Sequence, residues 1–312
     1  MDLSIIVPTR NREQLLKKML ASLLRQSHPL TGVEIIVVDN GSTDDTSDVC
    51  KSFSNEVDNF IYVCEEDPGL HKARHAGCSA ATGEFLAYLD DDVTVAPSWL
   101  NAILESLSDK DVGLVGGMIL PDFETPPPDW VDELIEHTEL GWHLIAYSLL
   151  DLGFQPKDVP PELVFGCNYT VKKSDLLAHG GFHPDSVPKD MISYRGDGET
   201  ALSRKITDSG KRAVYRPYAR VDHWVAKERM MPEFIRNRYF AEGISLSFSH
   251  IRKSGGRLAN PSDYPGSSIP SDLSGILQLS HQALKDGYEF HQNQAGNDPE
   301  LMRWILRENY LS

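Results

Sequence analysis

Three carboxylates in a row, Asp90-Asp91-Asp92, directly follow the apolar run Phe85–Leu89. Adjacent acids repel one another unless a cation gathers them, and hard oxygen donors joined by diphosphate oxygens suit Mg2+ or Mn2+. An acidic turn capping the helix near Pro97 would use the same residue types. It would not explain why they end a central-looking strand, alongside two further polar clusters. One of these is Pro8-Thr9-Arg10-Asn11-Arg12, after the run Leu3–Val7; the other runs from Asp39 to Thr46, after Val33–Val38. An Asp at such a strand exit can accept the imino N–H of a pyrimidine base, which an apolar slot alone cannot read. Guanine offers a comparable N–H. Helix capping accounts for Asn11, Ser42 and Asp44, but not for Asp39. A fourth cluster, Asp67-Pro68-Gly69-Leu70-His71-Lys72-Ala73-Arg74, leads a glycine loop into a helix that starts with Lys and Arg. That arrangement suits an approaching phosphate, although basic residues on a helix more often just solvate a face.

The elements that must position these clusters alternate cleanly over the first 120 residues. Helical spacing marks Glu13–Arg25 (Leu15, Leu16, Met19, Leu20, Leu23), and Phe60–Cys64, Lys72–Ala81, Phe85–Leu89, Trp99–Leu107 and Val112–Ile119 continue the pattern. Apolar strands alternating with amphipathic helices imply a mostly parallel sheet covered on both faces. Ligands bind beyond the carboxyl ends of such strands, where the polar clusters fall. After Pro121 the texture changes. Pro126-Pro127-Pro128 opens a region of irregular connections up to Pro161, expected to form a lid or acceptor platform. Within it Gly141–Phe154 reads as a buried helix. Leu163–Val171 reads as a strand, Ser174–His179 and Thr200–Ser209 as short helices, Ala213–Tyr215 and Arg220–His223 as short strands, and Pro232–Ser249 as a helix rich in basic residues. Ser254–Ser274 has the Gly, Ser, Pro and Asn content of a flexible linker, and two helical segments follow.

The chain of 312 residues carries 46 acidic against 30 basic side chains, a net charge of −16. A field of that sign excludes nucleic acid and anionic lipid as default partners, whereas a nucleotide can still bind where a metal ion or Arg cluster dominates locally. Hydrophobic content of 40% with 24% charged residues fits a globular domain. Cys50, Cys64, Cys78 and Cys167 show no CxxC spacing and read as reduced thiols of an intracellular protein. The sequence enters a strand directly after Asp2, so no signal peptide is expected, and no apolar stretch reaches the length of a membrane span. The expected location is cytoplasmic, with peripheral contact at a membrane surface compatible. Trp130, Trp142 and Trp224 have the chemistry to stack on sugar faces, although a Trp is more often core.

The ordered set Ile6-Val7-Pro8-Thr9-Arg10-Asn11, Val38-Asp39-Asn40-Gly41-Ser42-Thr43-Asp44, Ala73-Arg74 and Leu89-Asp90-Asp91-Asp92 resembles family 2 glycosyltransferases of the GT-A fold. The resemblance continues through Phe165-Gly166-Cys167-Asn168, Gly180-Gly181-Phe182 and Gly196-Asp197-Gly198-Glu199 to Val221-Asp222-His223. It implies a GT-A-like (Rossmann-related) α/β fold with a central mixed, mostly parallel sheet flanked by helices, plus a C-terminal helical extension. Residues 1–120 would be the donor-binding half, 121–253 the acceptor and catalytic half of the same domain, and 254–312 a linker and extension. The implied activity is inverting, metal-assisted transfer from a nucleotide-diphosphate sugar to an acceptor hydroxyl. UDP or dTDP donors are favoured and GDP is compatible, and the acceptor is a carbohydrate or a lipid-linked sugar. Pro8, Thr9 and Asp39 would hold the base, and Arg12 or Arg74 would contact the donor. Asp90 would contact ribose or sugar, with Asp91 in the same donor-binding set. Asp92 and His223 would bind Mn2+ or Mg2+, and Asp197 would be the catalytic base. This chain has Gly196-Asp197 where the family usually has Glu-Asp, and His75 where Asn is common. The rival readings are a nucleotide-sugar pyrophosphorylase, which would place a Gly-rich loop after the first strand, and a degenerate nucleotide-sugar scaffold.

Overall fold

The computed structural model describes residues 2–260, 264 and 275–311. Four apolar runs form the parallel part of the sheet: β1 (Leu3–Thr9), β2 (Val33–Asp39), β3 (Phe60–Cys64) and, after three intervening helices, β4 (Phe85–Leu89). The helices between them are α1 (Glu13–Leu23), α2 (Thr46–Phe53) and α3 (Leu70–Ala80). Both β1 and β2 are buried along their whole length, as strands covered on two faces must be. Glu34 inside β2 is held by the Ser4 hydroxyl, the Thr82 hydroxyl and the Thr82 and Gly83 N–H groups, so this buried acid is fully solvated by protein.

The chain continues through β5 (Val93–Val95), α4 (Trp99–Leu107), β6 (Val112–Phe123), β7 (Glu136–Thr138), β8 (Gly141–Leu144), β9 (Leu149–Asp151), β10 (Lys157–Asp158) and β11 (Asn168–Lys172). It then forms α5 (Lys173–Ala178), α6 (Thr200–Asp208), β12 (Arg212–Val225), α7 (Pro232–Lys253), α8 (Gly275–Asn297) and α9 (Pro299–Ile305). The sheet order is β3-β2-β1-β4-β11-β6-β9-β8-β7, with β12 parallel to β6 and antiparallel to β5 and β10. β11 runs antiparallel to β4, which makes the sheet mixed. One core cluster lies under α1 and α4, the other under α3 and α6.

Several local expectations are corrected. Gly141–Phe154 is not a helix: it supplies β8 and β9, joined by a short 3-10 turn that ends at Ser148 with φ 53°. A mostly apolar run is equally satisfied buried as helix or strand, and here the partner is β6 through the Ile119–Leu150 pair. The region 121–161 is accordingly less irregular than its prolines suggest. The strand expected from Leu163 begins at Asn168, and 164–167 form a loop beside the cleft. The two short strands expected near 213 and 223 are one long strand, β12, with a register shift between Arg216 and Val221. The linker expected over 254–274 falls largely outside the described residues.

Helices α7 and α8 pack backbone to backbone. A Cβ at Gly243 would overlap the Leu284 carbonyl, and one at Gly287 would overlap the Phe240 carbonyl. The end of the chain closes on the same wall: Phe248 and Ile251 join Ala295, Leu301, Ile305 and Tyr310 in a third apolar cluster.

Candidate active site

The carboxyl ends of β1, β2 and β4 bring together the residues that the sequence singles out. Pro8 pairs with Val38 and Thr9 with Asp39 across the strands. Asn11, held at φ 53°, accepts the Thr43 N–H at 2.7 Å and so clamps the first cluster to the second. Asp39 Oδ1 accepts the Ser42 N–H at 2.7 Å and Oδ2 accepts the Tyr62 hydroxyl at 2.6 Å. Tyr62 is 37% exposed, so an acceptor carboxylate and an open aromatic side chain lie side by side. Asn40 fixes the loop before α3 by donating to the Glu65 and Asp67 carbonyls and accepting the Gly69 N–H.

Arginines gather the acidic triplet. Asp91 accepts the Thr9 hydroxyl at 2.8 Å and an Arg12 N–H at 2.9 Å; the same Arg12 Nη1 reaches Asp92 Oδ2 at 3.0 Å. Burial pushes Asp91 up to about 6, a rise that Arg12 opposes. Arg229 Nη2 donates to the same Asp92 oxygen at 3.1 Å. Asp92 Oδ1, by contrast, is buried without a hydrogen-bond partner and faces His223 Nε2 at 3.2 Å. His223 Nδ1 lies 2.7 Å from the Tyr147 carbonyl, which only accepts, so the neutral ring carries its proton there and turns the Nε2 lone pair toward Asp92. Arg229 Nη1 stands 3.4 Å from that nitrogen, a long contact. Two lone pairs converging on one point fit a cation. Among the described residues no group of three His, Cys, Asp or Glu side chains is placed to hold a metal, so water and ligand oxygens would fill the other positions.

Arg74 is the hub of the next layer. Its guanidinium, 2% exposed, lies 3.6 Å from Asp90, 3.6 Å from Asp185 and 3.4 Å from Glu199, with the Phe182 ring 5.2 Å away. Burial raises Asp90, and it pushes Asp185 up to about 6. Glu199 Oε1 also accepts the Gly166 N–H at 2.8 Å. A Cβ at Gly166 would sit 2.5 Å from an Arg74 nitrogen, so a bare backbone is needed there. These groups line a cleft of about 720 Å³ together with His223, Arg229 and one face of α7, within the size range of small-molecule sites.

Asp197 also lines the cleft but is committed elsewhere. Its Oδ1 is 2.5 Å from His183 Nδ1 and its Oδ2 accepts the Ser249 hydroxyl at 2.5 Å, with the side chain 7% exposed. Burial favours its neutral form, yet the His183 and Ser249 bonds outweigh that and hold it below the usual carboxylate range. Glu199, two residues on, is 23% exposed and turned to Arg74. Trp130 and Trp142 pack against the main core, and Lys18 stacks on Trp224 at 4.8 Å. Sequence reasoning misses Asp185 and the His183–Asp197 contact, for which Gly180-Gly181-Phe182 is the nearest signal. It does not pair Arg229 with Asp92. Cys64 is exposed, whereas Cys50, Cys78 and Cys167 are buried and free. No helix among the described residues is long and apolar enough to cross a membrane.

Residues 4–160 match the model of Glycosyl transferase family 2. A glucosyl-dolichyl phosphate glucuronosyltransferase of Haloferax volcanii is 25% identical over 249 residues, covering 78% of this chain and 76% of that protein. Glycosyltransferase AglE of the same organism is 35% identical over 117 residues, 37% of this chain and 38% of its own length. Among solved structures, the mannosyltransferase PcManGT of Pyrobaculum calidifontis, in complex with GDP-Man and Mn2+, superimposes with a TM-score of 0.58 at 20% identity, covering 97% of this chain and 85% of that one. S. aureus TarS 1–349 in complex with UDP gives 0.53 at 17% identity, covering 95% and 92%. The mixed, mostly parallel sheet with its flanking helices and C-terminal helical region is thus GT-A-like. The ordered motifs, the sheet that carries them and the matched residues lead to one assignment: this chain belongs to glycosyl transferase family 2.

Proposed function

We propose that this protein transfers a sugar from a nucleoside-diphosphate donor to an acceptor hydroxyl with inversion at the anomeric carbon. The observation that carries the reading is the convergence of the Asp92 and His223 lone pairs beside Arg12 and Arg229, at the edge of a cleft that also holds Glu199. Asp92 and His223 would hold Mn2+ or Mg2+, which neutralises the charge of a departing diphosphate. Pro8, Thr9 and Asp39 would seat the base; the Asp39 carboxylate keeps lone pairs for an imino N–H, favouring UDP or dTDP and admitting GDP. Arg12 and Arg229 flank the diphosphate, and Asp90 with Asp91 bounds the ribose and sugar. Neighbours of the same fold, one in complex with GDP-Man and Mn2+ and another with UDP, support a nucleoside-diphosphate donor and a divalent metal.

Inversion by single displacement needs one base on the acceptor side. The geometry favours Glu199 over Asp197 as that base. Asp197 spends both oxygens on His183 and Ser249, whereas Glu199 is the more exposed of the two and Arg74 orients it. The acceptor is a carbohydrate or a lipid-linked sugar. Calorimetry tests the donor end. UDP or GDP affinity should rise with Mn2+ in the wild-type protein, and that increment should vanish in Asp92→Asn and shrink in His223→Ala. Equal UDP and GDP affinity in Mn2+ and in EDTA would overturn the metal assignment, and ADP as the tightest ligand would overturn the base assignment.

A further inference from the structure

Asp39 is held by a residue that the ordered motifs do not include. Tyr62 lies in the edge strand β3, paired with Val37 of β2, while Asp39 is two positions further along β2 and opposite Cys64. Side chains alternate between the faces of a strand, so Tyr62 and Asp39 share one face, and the tyrosine has to lean forward along the strand to reach the acid. Its hydroxyl donates to Asp39 Oδ2 at 2.6 Å, while the Ser42 N–H donates to Oδ1 at 2.7 Å. The tyrosine is 37% exposed, so water can satisfy its hydroxyl. The acid is 6% exposed and depends on protein donors.

Those two donors fix what the acid can read. Donors on both oxygens favour the carboxylate over the carboxylic acid, and a carboxylate accepts but does not donate. They come from different segments, the loop after β2 and the strand β3, so the carboxylate plane cannot rotate without breaking one of the bonds. Burial and the adjacent Asp39 raise the Tyr62 phenol, which therefore stays a donor. One lone pair on each oxygen is left. An imino N–H, as in uracil, thymine or guanine, meets an acceptor already in place. Cytosine and adenine carry a lone pair at the corresponding ring nitrogen and set acceptor against acceptor. Without the tyrosine donor, Oδ2 is free to turn or to take up a proton, and a carboxylic acid can donate to that ring nitrogen.

We propose that Tyr62 is a specificity-determining residue for the donor: by holding Asp39 as a fixed acceptor, it admits bases with an imino N–H and excludes cytosine and adenine. The proposal rests on the reading of Asp39 as the base-binding acid and adds the residue that makes that acid selective. Tyr62 is a positioning residue that acts through Asp39.

The test is calorimetry of the full chain in Mn2+ with two matched pairs of nucleotides, UDP against CDP and GDP against ADP. Each pair inverts donor and acceptor at the ring nitrogen that would face Asp39. In whichever pair binds, wild type should prefer the imino member at least about tenfold, and Tyr62→Phe, which loses only the hydroxyl, should cut that ratio about fivefold or more. A tyrosine with a merely structural role would weaken both members alike and leave the ratio unchanged. The loss of selectivity should disappear in an Asp39→Asn background, where there is no carboxylate left to hold. An unchanged ratio in Tyr62→Phe, or the same loss of selectivity with Asp39→Asn already in place, would overturn the proposal. A wild-type ratio near one that Asp39→Asn does not alter would instead remove the base-binding reading of Asp39, so the two failures are distinguishable.

Discussion

The strand-end side of the cleft and its helical wall solve opposite electrostatic problems. At the strand ends a run of acids is brought together and arginines from distant segments, Arg12, Arg74 and Arg229, are folded over it. At the wall, cations project from α7 and from residue 195, and the nearby acids are already spent on other partners. The first side leaves one carboxylate oxygen without a hydrogen bond, whereas the second seats Arg195 on a hydroxyl. The contrast teaches that one cleft can treat its charges in two ways, with arginines folded over a run of acids at the strand ends and a helix face that mixes Arg238, Glu242, Ser245, Ser249 and Lys253 at the wall.

The largest effect that would break this comparison is on the proton acceptor between the two sides. Glu199→Gln should lower transfer by roughly 10²–10⁴-fold while nucleotide affinity stays unchanged. Asp197→Asn should cost far less rate. Initial-rate measurements showing the reverse order would move the base to Asp197 and make Glu199 a partner of Arg74. A second, smaller effect separates the wall from the strand ends. Gly287→Ala has to push α8 away from the Phe240 carbonyl, an overpacking that costs about 1–3 kcal/mol. Urea unfolding should show this loss, and calorimetry should show unchanged UDP affinity; a weakened nucleotide would mean that the two sides are not independent.

The last effect is on pH dependence and appears only on the acid side. His291 of α8 is fully buried, its Nδ1 2.8 Å from the Ser247 hydroxyl of α7, and burial holds it down at about 4. A histidine depressed in the folded state binds its proton more readily when unfolded, where it titrates near 6.5. Its contribution to stability is therefore full above about pH 6.5 and is lost as pH falls toward 4, by at most about 1.4 kcal/mol per pH unit. His291→Gln should flatten the acid side of a stability profile followed by circular dichroism; an unchanged slope between pH 6.5 and 4 would show that His291 does not control it.

Legibility in the sequence follows the same division. Asp39, Asp90, Asp91 and Asp92 are readable because they end or directly follow apolar strands, so sequence order alone puts them at one sheet edge. Asp92 and His223 are readable as a pair only through the family resemblance, since 131 positions separate them and β12 has to run beside β5 to join them. The helical expectation for Gly141–Phe154 fails because composition reports burial, not period, and the edge of the sheet decides its state. Arg195 leaves no trace, because the Ser245 hydroxyl that it meets is placed by α7, fifty positions away. The seat of the proposed proton acceptor is legible to within two residues. The difference between Asp197 and Glu199 is a matter of which carboxylate His183 and Ser249 occupy.

The glycine contact between α7 and α8 has a mechanical consequence. With no side chains between the two backbones at Gly243 and Gly287, there is no compliant layer for one helix to roll on the other. Narrowing or widening of the cleft at this wall has to carry both helices as one stiff plate, with Phe248 and the closing cluster travelling along. The α7 side chains that line the cleft would then move in register, keeping their mutual spacing while their distance to the strand ends changes.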